Sequence, residues 1–257
     1  MTKEEIQKAA DLYQEKVGKM NFEPFIVDLT MGSPIAFTNS LAFDGILAFC
    51  VAKDLLGEDF HLTQGLPAHE LVEFSLPLEE RGITKRYYAC SVAQCEEKTE
   101  HLARYRKRWD ERYDDVVDFG GKQERVWHKG GQFKSVNMPL VYVAIPCVRF
   151  FCFGNMAETK RLMEKHLVCI GKMASHGYGK IMRMDFSQVS IDISCIDCVK
   201  MLMRNIPIEE LAGMGLVAEE TQYVSYRAPY WSPANFAECG MAGSEVADAT
   251  RSMFESL

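Results

Sequence analysis

The stretch PLVYVAIPCVRFFCFGNMAETKRLMEKHLVCIGKMASHGYGKIMRMDF, residues 139–186, decides the fold. Its first part, 139–153, is a long apolar run, which predicts one strand or two strands kinked at Pro146. Gly154-Asn155 is a turn signal. Met156, Met163, His166, Leu167 and Ile170 then fall on one helical face, predicting a helix over 156–170. A loop with three glycines and two lysines follows, Gly171 to Lys180. A strand over about 181–193 closes the unit, alternating Ile181, Arg183 and Asp185.

Working outward, Ile6, Ala9, Ala10, Tyr13 and Val17 predict an amphipathic helix over 3–19 that ends at Gly18. A strand is expected at 24–31, broken by Gly32-Ser33-Pro34. Asp44-Gly45 opens a second helix carrying Ile46, Leu47, Cys50, Val51 and Leu55, and Gly57 ends it. Residues 61–80 are loop-like, 83–94 suit a strand, and 221–227 a last strand. The end of the chain reads as a loop and a short helix. The order is βαββαβ, the plan of an α+β, ferredoxin-like (RRM-like) fold with a large insertion at about 98–134. The expected organisation is an N-terminal helical extension (1–22), one domain (23–240) and a C-terminal tail (241–257).

The 257 residues sum to a formal charge of −7, which alone disfavours nucleic acid. The sum hides a division. Residues 1–80 carry 5 basic and 14 acidic residues, net −9. Residues 81–204 carry 22 basic and 14 acidic, net +8, and residues 205–257 carry 2 and 8, net −6. A basic middle between acidic ends is a hint of polyanion contact. No run of eighteen apolar residues or signal-peptide pattern is present, so a cytoplasmic protein without membrane contact is expected. The nine cysteines lie in apolar segments and read as reduced, buried thiols.

Two signals in the basic middle carry chemistry. In the loop Gly171-Lys172-Met173-Ala174-Ser175-His176-Gly177-Tyr178-Gly179-Lys180, glycines let backbone N–H groups approach an anion. The loop runs from helix to strand and lacks the Ser/Thr of a nucleotide-hydrolysing loop, which leaves phosphate-backbone contact or a plain tight connection. The second signal is His101-Leu102-Ala103-Arg104-Tyr105-Arg106-Lys107-Arg108-Trp109-Asp110-Glu111-Arg112-Tyr113. Read as a helix, it sets Tyr105, Trp109 and Tyr113 in one stripe beside Arg104, Arg108 and Arg112. Cations neutralise phosphates and rings stack on unpaired bases. Lys122, Arg125, Trp127, His128, Lys129, Phe133 and Lys134 repeat the mixture, with a turn-rich hairpin expected from Gly120 to Phe133.

Other chemistry is weaker. Cys195-x-x-Cys198 has ligand spacing, and Cys90 and Cys95 would complete a set, but the pair lies in an apolar segment where thiols usually pack, so no metal or cofactor is expected. His128, His166 and His176 are the acid–base candidates, with His166 on an apolar helix face as a core histidine. No nucleophile elbow and no zinc-protease motif occurs.

At these residues the chain resembles a known family. IGKMASHGYGKI (170–181) is similar to the glycine-rich loop of the repeat-associated (RAMP) CRISPR proteins. With MGSPIAF and LAFDGILAF (31–49), RYRKRWDERYDDVVDFG (104–120), FKSVNMPL (133–140) and RAPYWSP (227–233), the chain looks like the Cas-five-type subunit of type IV CRISPR effector complexes. The resemblance implies a non-catalytic subunit. Such a subunit holds the 5′ handle of the guide RNA, caps the backbone filament, and contacts the backbone subunit and the large subunit. It also implies that 98–134 is an inserted thumb, that Gly171 to Lys180 lies on the handle, and that the protein takes part in reading the protospacer-adjacent motif on target DNA. Some related subunits cleave guide precursors, so a metal-independent endoribonuclease is the alternative. A general single-strand-binding module is a third reading.

Overall fold

The structure, a computed structural model, describes residues 2–36, 41–63, 72–95, 99–116, 126–131 and 133–248. Helix α1 (Lys3–Val17) starts at a capping box. The Thr2 hydroxyl accepts from the Glu5 N–H, and the Glu5 carboxylate accepts from the Thr2 N–H. Strand β1 (Glu23–Met31) buries Phe25, Val27 and Leu29 on one face. After the short β2 (Ile35–Ala36) comes α2 (Phe43–Leu56), apolar nearly all round and buried accordingly. Then follow β3 (Glu80–Arg81), β4 (Tyr87–Tyr88), β5 (Thr99–Lys107), β6 (Val136–Ala144), β7 (Cys147–Gly154), α3 (Met156–His166) and β8 (Ile181–Gln188). Strand β9 (Ile206–Pro207), helix α4 (Ile208–Gly213) and strands β10 (Leu216–Ala218), β11 (Thr221–Ser225), β12 (Phe236–Gly240) and β13 (Val246–Asp248) complete the described chain.

The fold is mixed α+β with antiparallel sheets. β1 lies between β7 and β8. Bridges from Cys90 to Cys152 and from Gln94 to Arg149 lay residues 90–94 along the free edge of β7. α2 and α3 pack together over this sheet, and Phe43 meets Phe150 at 5.0 Å between ring centres. Tyr13 and Val17 bring α1 into the same core.

Pro146 does separate two strands, and they go to different sheets. β7 joins β1, whereas β6 pairs along its length with β5 and, at its end, with β2. Pairing with β6 corrects the helical reading of 101–113. Rings and arginines spaced by four satisfy a period of two as well as one near 3.6, and the nine-pair ladder from Thr99–Ala144 to Lys107–Val136 settles the choice. Residues 111–116 form a short 3-10 turn. The strand expected over 83–94 shrinks to β4 and isolated bridges.

The C-terminal part holds more than a strand, a loop and a short helix. β11, β12 and β9 form one sheet, and β10 pairs with β13, so residues up to Asp248 belong to the packed structure. They close a second core of Tyr87, Ala89, Leu202, Ile206, Leu211, Tyr226, Cys239 and Val246. Residues 249–257 lie outside the described part.

Charged side chains tie the helices together. Glu158 on α3 accepts from Lys16 at 2.8 Å and from Tyr13 on α1, and from Arg161 on its own helix. The Arg161 bond first, then that of Lys16, outweighs burial and holds its carboxyl at about 2. Asp54 on α2 takes Arg161, Lys165 and His166, all from α3. A carboxyl held below its unfolded value stabilises the fold above that value and ceases to do so as pH falls toward the folded one. Glu158 therefore contributes stability, on the order of 2–3 kcal/mol, that disappears between its ordinary 4.5 and about 2. Urea unfolding at stepped pH checks this: Glu158→Gln should be less stable at pH 7 and lose less on acidification.

Candidate nucleic-acid interface

The glycine loop is folded by its own backbone bonds. The N–H groups of Lys172 and Gly179 donate to Ala36 and Pro34, those of His176 and Gly177 donate inside the loop, and that of Lys180 donates to the Ser33 hydroxyl. These donors are engaged, so they do not form the open anion nest that the glycines suggested. Gly179 has φ +69°, and an added Cβ would run into the Ile170 carbonyl oxygen, so this position takes glycine only. Gly177 has φ +85° with nothing within 4 Å of an added Cβ. It is exposed, as are Gly171, Lys172, Ser175, His176 and Lys180.

The loop lies across one face of the β5–β6 hairpin. His101 stacks on its cross-strand partner Tyr142 at 5.2 Å and 19°. Tyr178 of the loop meets Tyr142 at 5.5 Å. Further along, His176 meets Tyr105 edge-on at 5.1 Å. The alternation of a strand places His101, Ala103, Tyr105 and Lys107 on this face, with Tyr142, Leu140, Met138 and Val136 opposite them. Of the five rings, His101 and Tyr142 fall outside the binding residues that the sequence pointed to. The signal for His101 is the two-residue period it shares with Tyr105, legible only when the segment is read as a strand, and Tyr142 joins it through the cross-strand pairing.

The remaining basic residues divide by position. Arg104 and Arg106 project from the opposite face of β5, beside Leu102, which is 72% exposed, and Arg104 reaches Asn137 at 3.5 Å. Lys107 and Arg108 are exposed. Arg112 is held by Asp110, its Nε donating at 2.9 and 3.0 Å. Trp109 packs edge-on against Phe133 at 5.0 Å and Tyr113 at 6.3 Å and donates to Asp114 at 2.6 Å. It is a packed ring here, not an open platform. Trp127 is 61% exposed, Lys129 and Lys134 are exposed, and the Nδ1 of His128 is buried with no hydrogen-bond partner among the described residues. Lys122 and Arg125 lie outside the described residues, as does most of the hairpin expected from Gly120 to Phe133.

For acid–base chemistry, the Ser175 hydroxyl lies 3.1 Å from the His176 Nδ1. His166 is committed to Asp54 at 2.8 Å. Cys195 is buried under the Arg81 guanidinium and the Ser194 hydroxyl, whereas Cys198 is exposed. Among the described residues no group of three or more His, Cys, Asp or Glu is placed to hold a metal. No described helix is long and apolar enough to cross a membrane.

No protein-family model and no curated protein matches the chain. Among solved structures, the chain is similar to one in "Cryo-EM structure of the Type III-B Cmr-beta bound to cognate target RNA". The identity is 11%, the TM-score 0.32, and the match covers 73% of this chain and 68% of that chain.

Proposed function

We propose that this protein is a non-catalytic guide-RNA-binding subunit of a type IV CRISPR ribonucleoprotein, acting in the cytoplasm. In this reading the fold is a ferredoxin-like RAMP fold and the β5–β6 hairpin is its thumb. The loop and hairpin hold the 5′ handle, and the protein caps the backbone filament beside the backbone and large subunits and helps to read the protospacer-adjacent motif. One observation carries the reading: the glycine loop lies across the ring-lined face of a hairpin inside the basic middle of the chain. Rings suit unpaired bases and the surrounding cations suit phosphates. The strand order β8, β1, β7 and then residues 90–94 supports the ferredoxin-like plan, with α2 and α3 as its two helices.

Filter binding at 50 mM salt with single-stranded repeat RNA and with the same sequence as a duplex tests it. The single strand should bind tighter by tenfold or more, and adding the backbone subunit should extend nuclease protection from the handle. Equal affinity for both forms would defeat the reading.

The contact of Ser175, His176 and Tyr105 favours a second reading, a metal-independent endoribonuclease. Site-specific cleavage of repeat RNA in EDTA, abolished by His176→Ala, would establish it. On the non-catalytic reading the RNA survives intact with either protein.

A further inference from the structure

The sheet of β9, β12 and β11 ends at β11, whose outer edge has no pairing partner among the described residues. The Tyr226 N–H donates to the Asn235 carbonyl and the Met241 N–H to the Glu220 carbonyl, in register with the pairs from Thr221–Gly240 to Ser225–Phe236. Bonded and non-bonded pairs alternate along an antiparallel ladder. Residues 220, 222, 224 and 226 are therefore bonded toward β12, and the N–H and C=O groups of Thr221, Tyr223 and Ser225 point out of the sheet edge. These three residues span about 13 Å. Sheet edges are ordinarily guarded by charge, proline or a bulge. β5 carries Glu100, Arg104, Arg106 and Lys107, and β9 carries Pro207. β8 carries Arg183 and Asp185 and shifts register against β1. β11 reads Thr-Gln-Tyr-Val-Ser and pairs without a shift, so it has none of these guards. An unguarded edge is the place where an extended peptide adds as a further strand.

The side chains of β11 set the chemistry of such a strand. Tyr223 is 72% exposed, lies opposite exposed Glu238 and meets Phe236 at 6.0 Å. Val224 alternates to the other face, where it is half-buried at the margin of the second core. A strand laid beside β11 thus sets its side chains alternately next to Tyr223 and next to Val224. Charge narrows the choice further. From Asn205 to Asp248 the chain has seven acidic residues and one cation, Arg227, which Glu73 and Glu80 hold at 3.3 and 3.7 Å. Glu219 and Glu220, which lead into β11, are exposed, as is Glu238. This stretch repels phosphates and, with the exposed Tyr223 ring, attracts Lys and Arg.

We infer that the open edge of β11 docks an extended segment of a partner protein, basic at the positions beside Tyr223 and apolar at those beside Val224. The outward N–H and C=O groups of Thr221, Tyr223 and Ser225 supply the backbone bonds, Glu238 and Tyr223 select the cations, and Val224 selects the apolar side chains. This docking strand lies in the acidic end of the chain and does not depend on the RNA-binding reading of the basic middle.

The test uses the full chain and three labelled peptides of about nine residues, long enough to cover the edge. One alternates Lys with Val. The second is the same peptide with its backbone amides N-methylated, which keeps the charge and removes the strand bonds. The third alternates Glu with Val. By fluorescence anisotropy the first should bind about tenfold tighter, or more, than either of the others. By hydrogen exchange the amides of Thr221, Tyr223 and Ser225 should exchange fast in the free chain and become protected when the first peptide binds. Tyr223→Lys leaves the bonds between β11 and β12 in place and puts a like charge on the edge. It should weaken the first peptide about tenfold with the melting temperature unchanged. Thr221→Lys is the second variant, should Tyr223→Lys lower the melting temperature, and should act the same way. Slow exchange of the three amides in the free chain would show the edge already covered and overturn the inference. Equal binding of the three peptides, no binding of the first, or binding that both variants leave intact would overturn it as well. Protection of the same amides by single-stranded RNA would give the edge to RNA and overturn the protein partner.

Discussion

Asp44→Ala is expected to cost about 3–5 kcal/mol of folding stability, because it leaves a buried arginine without its counter-charge. Asp44 is fully buried and Arg204 is 2% exposed, with 3.4 Å between Oδ2 and Nη2. The carboxylate also accepts from the Tyr230 hydroxyl at 2.6 Å, the Gly45 N–H at 3.0 Å and the Ala228 N–H at 3.3 Å. Burial and the adjacent Asp44 charge push the Tyr230 phenol well above its usual range, so it stays a donor. Arg204 donates in addition to the carbonyls of Tyr88, Cys90 and Tyr226. The residues of this knot come from α2, from the segment around β4, from the residues just before β9 and from the turn after β11, so it clamps the first core to the second. Domain stabilities of about 5–15 kcal/mol make a loss of this size severe. Urea unfolding of Asp44→Ala, Arg204→Met and the double variant Asp44→Leu/Arg204→Met measures it. Each single change should be strongly destabilising, and the double one should cost less than the sum of the singles, because it buries no lone charge. Single variants within about 1 kcal/mol of wild type would show that the pair does not hold the cores together.

This knot also shows what the sequence made legible and what it did not. Two of the segments that carry the family resemblance, FDGILA at 43–48 and APYWSP at 228–233, meet at Asp44, Ala228 and Tyr230. They mark a structural clamp and not the interface. Arg204, the third party, stands out in no pattern, since a lone buried arginine leaves no periodic trace. The β1, α2, β7, α3 and β8 elements are readable because each is either one continuous apolar run or one clear period, with a turn residue at its end. β5 is not, because Tyr105, Trp109 and Tyr113, like Arg104, Arg108 and Arg112, sit four apart across its end, a spacing common to both periods. The C-terminal strands escape for a different reason. They are two to five residues long, too short for alternation to register, and they are made by long-range partners such as Leu216 with Asp248. Within the glycine loop the sequence identifies the segment, but its glycines serve turns and close backbone approach more than an anion nest.

Neutralising the arginines in and just after β5 should change how RNA binding responds to salt more than any other single feature. Arg104→Ala/Arg106→Ala/Arg108→Ala removes three exposed cations from the hairpin. Each single-strand phosphate that goes unneutralised lowers the slope of log affinity against log salt by about 0.7, so the triple variant should lower it by about 2. Wild type and variant should then differ most at low salt, and the difference should narrow about twentyfold between 50 and 200 mM. Arg112→Ala is the internal control. Its guanidinium is already matched by Asp110, so it should shift the slope by much less than one phosphate's worth. The faces of the hairpin sharpen the expectation further. Arg104 and Arg106 project away from the ring-lined face, so RNA that only stacks on the rings would not feel their removal. A slope lowered by Arg104→Ala/Arg106→Ala therefore means that the strand crosses the hairpin edge and is gripped from both sides, as a thumb would grip it. A slope unchanged by the triple variant, in a protein whose melting temperature is also unchanged, would move the RNA off this hairpin altogether.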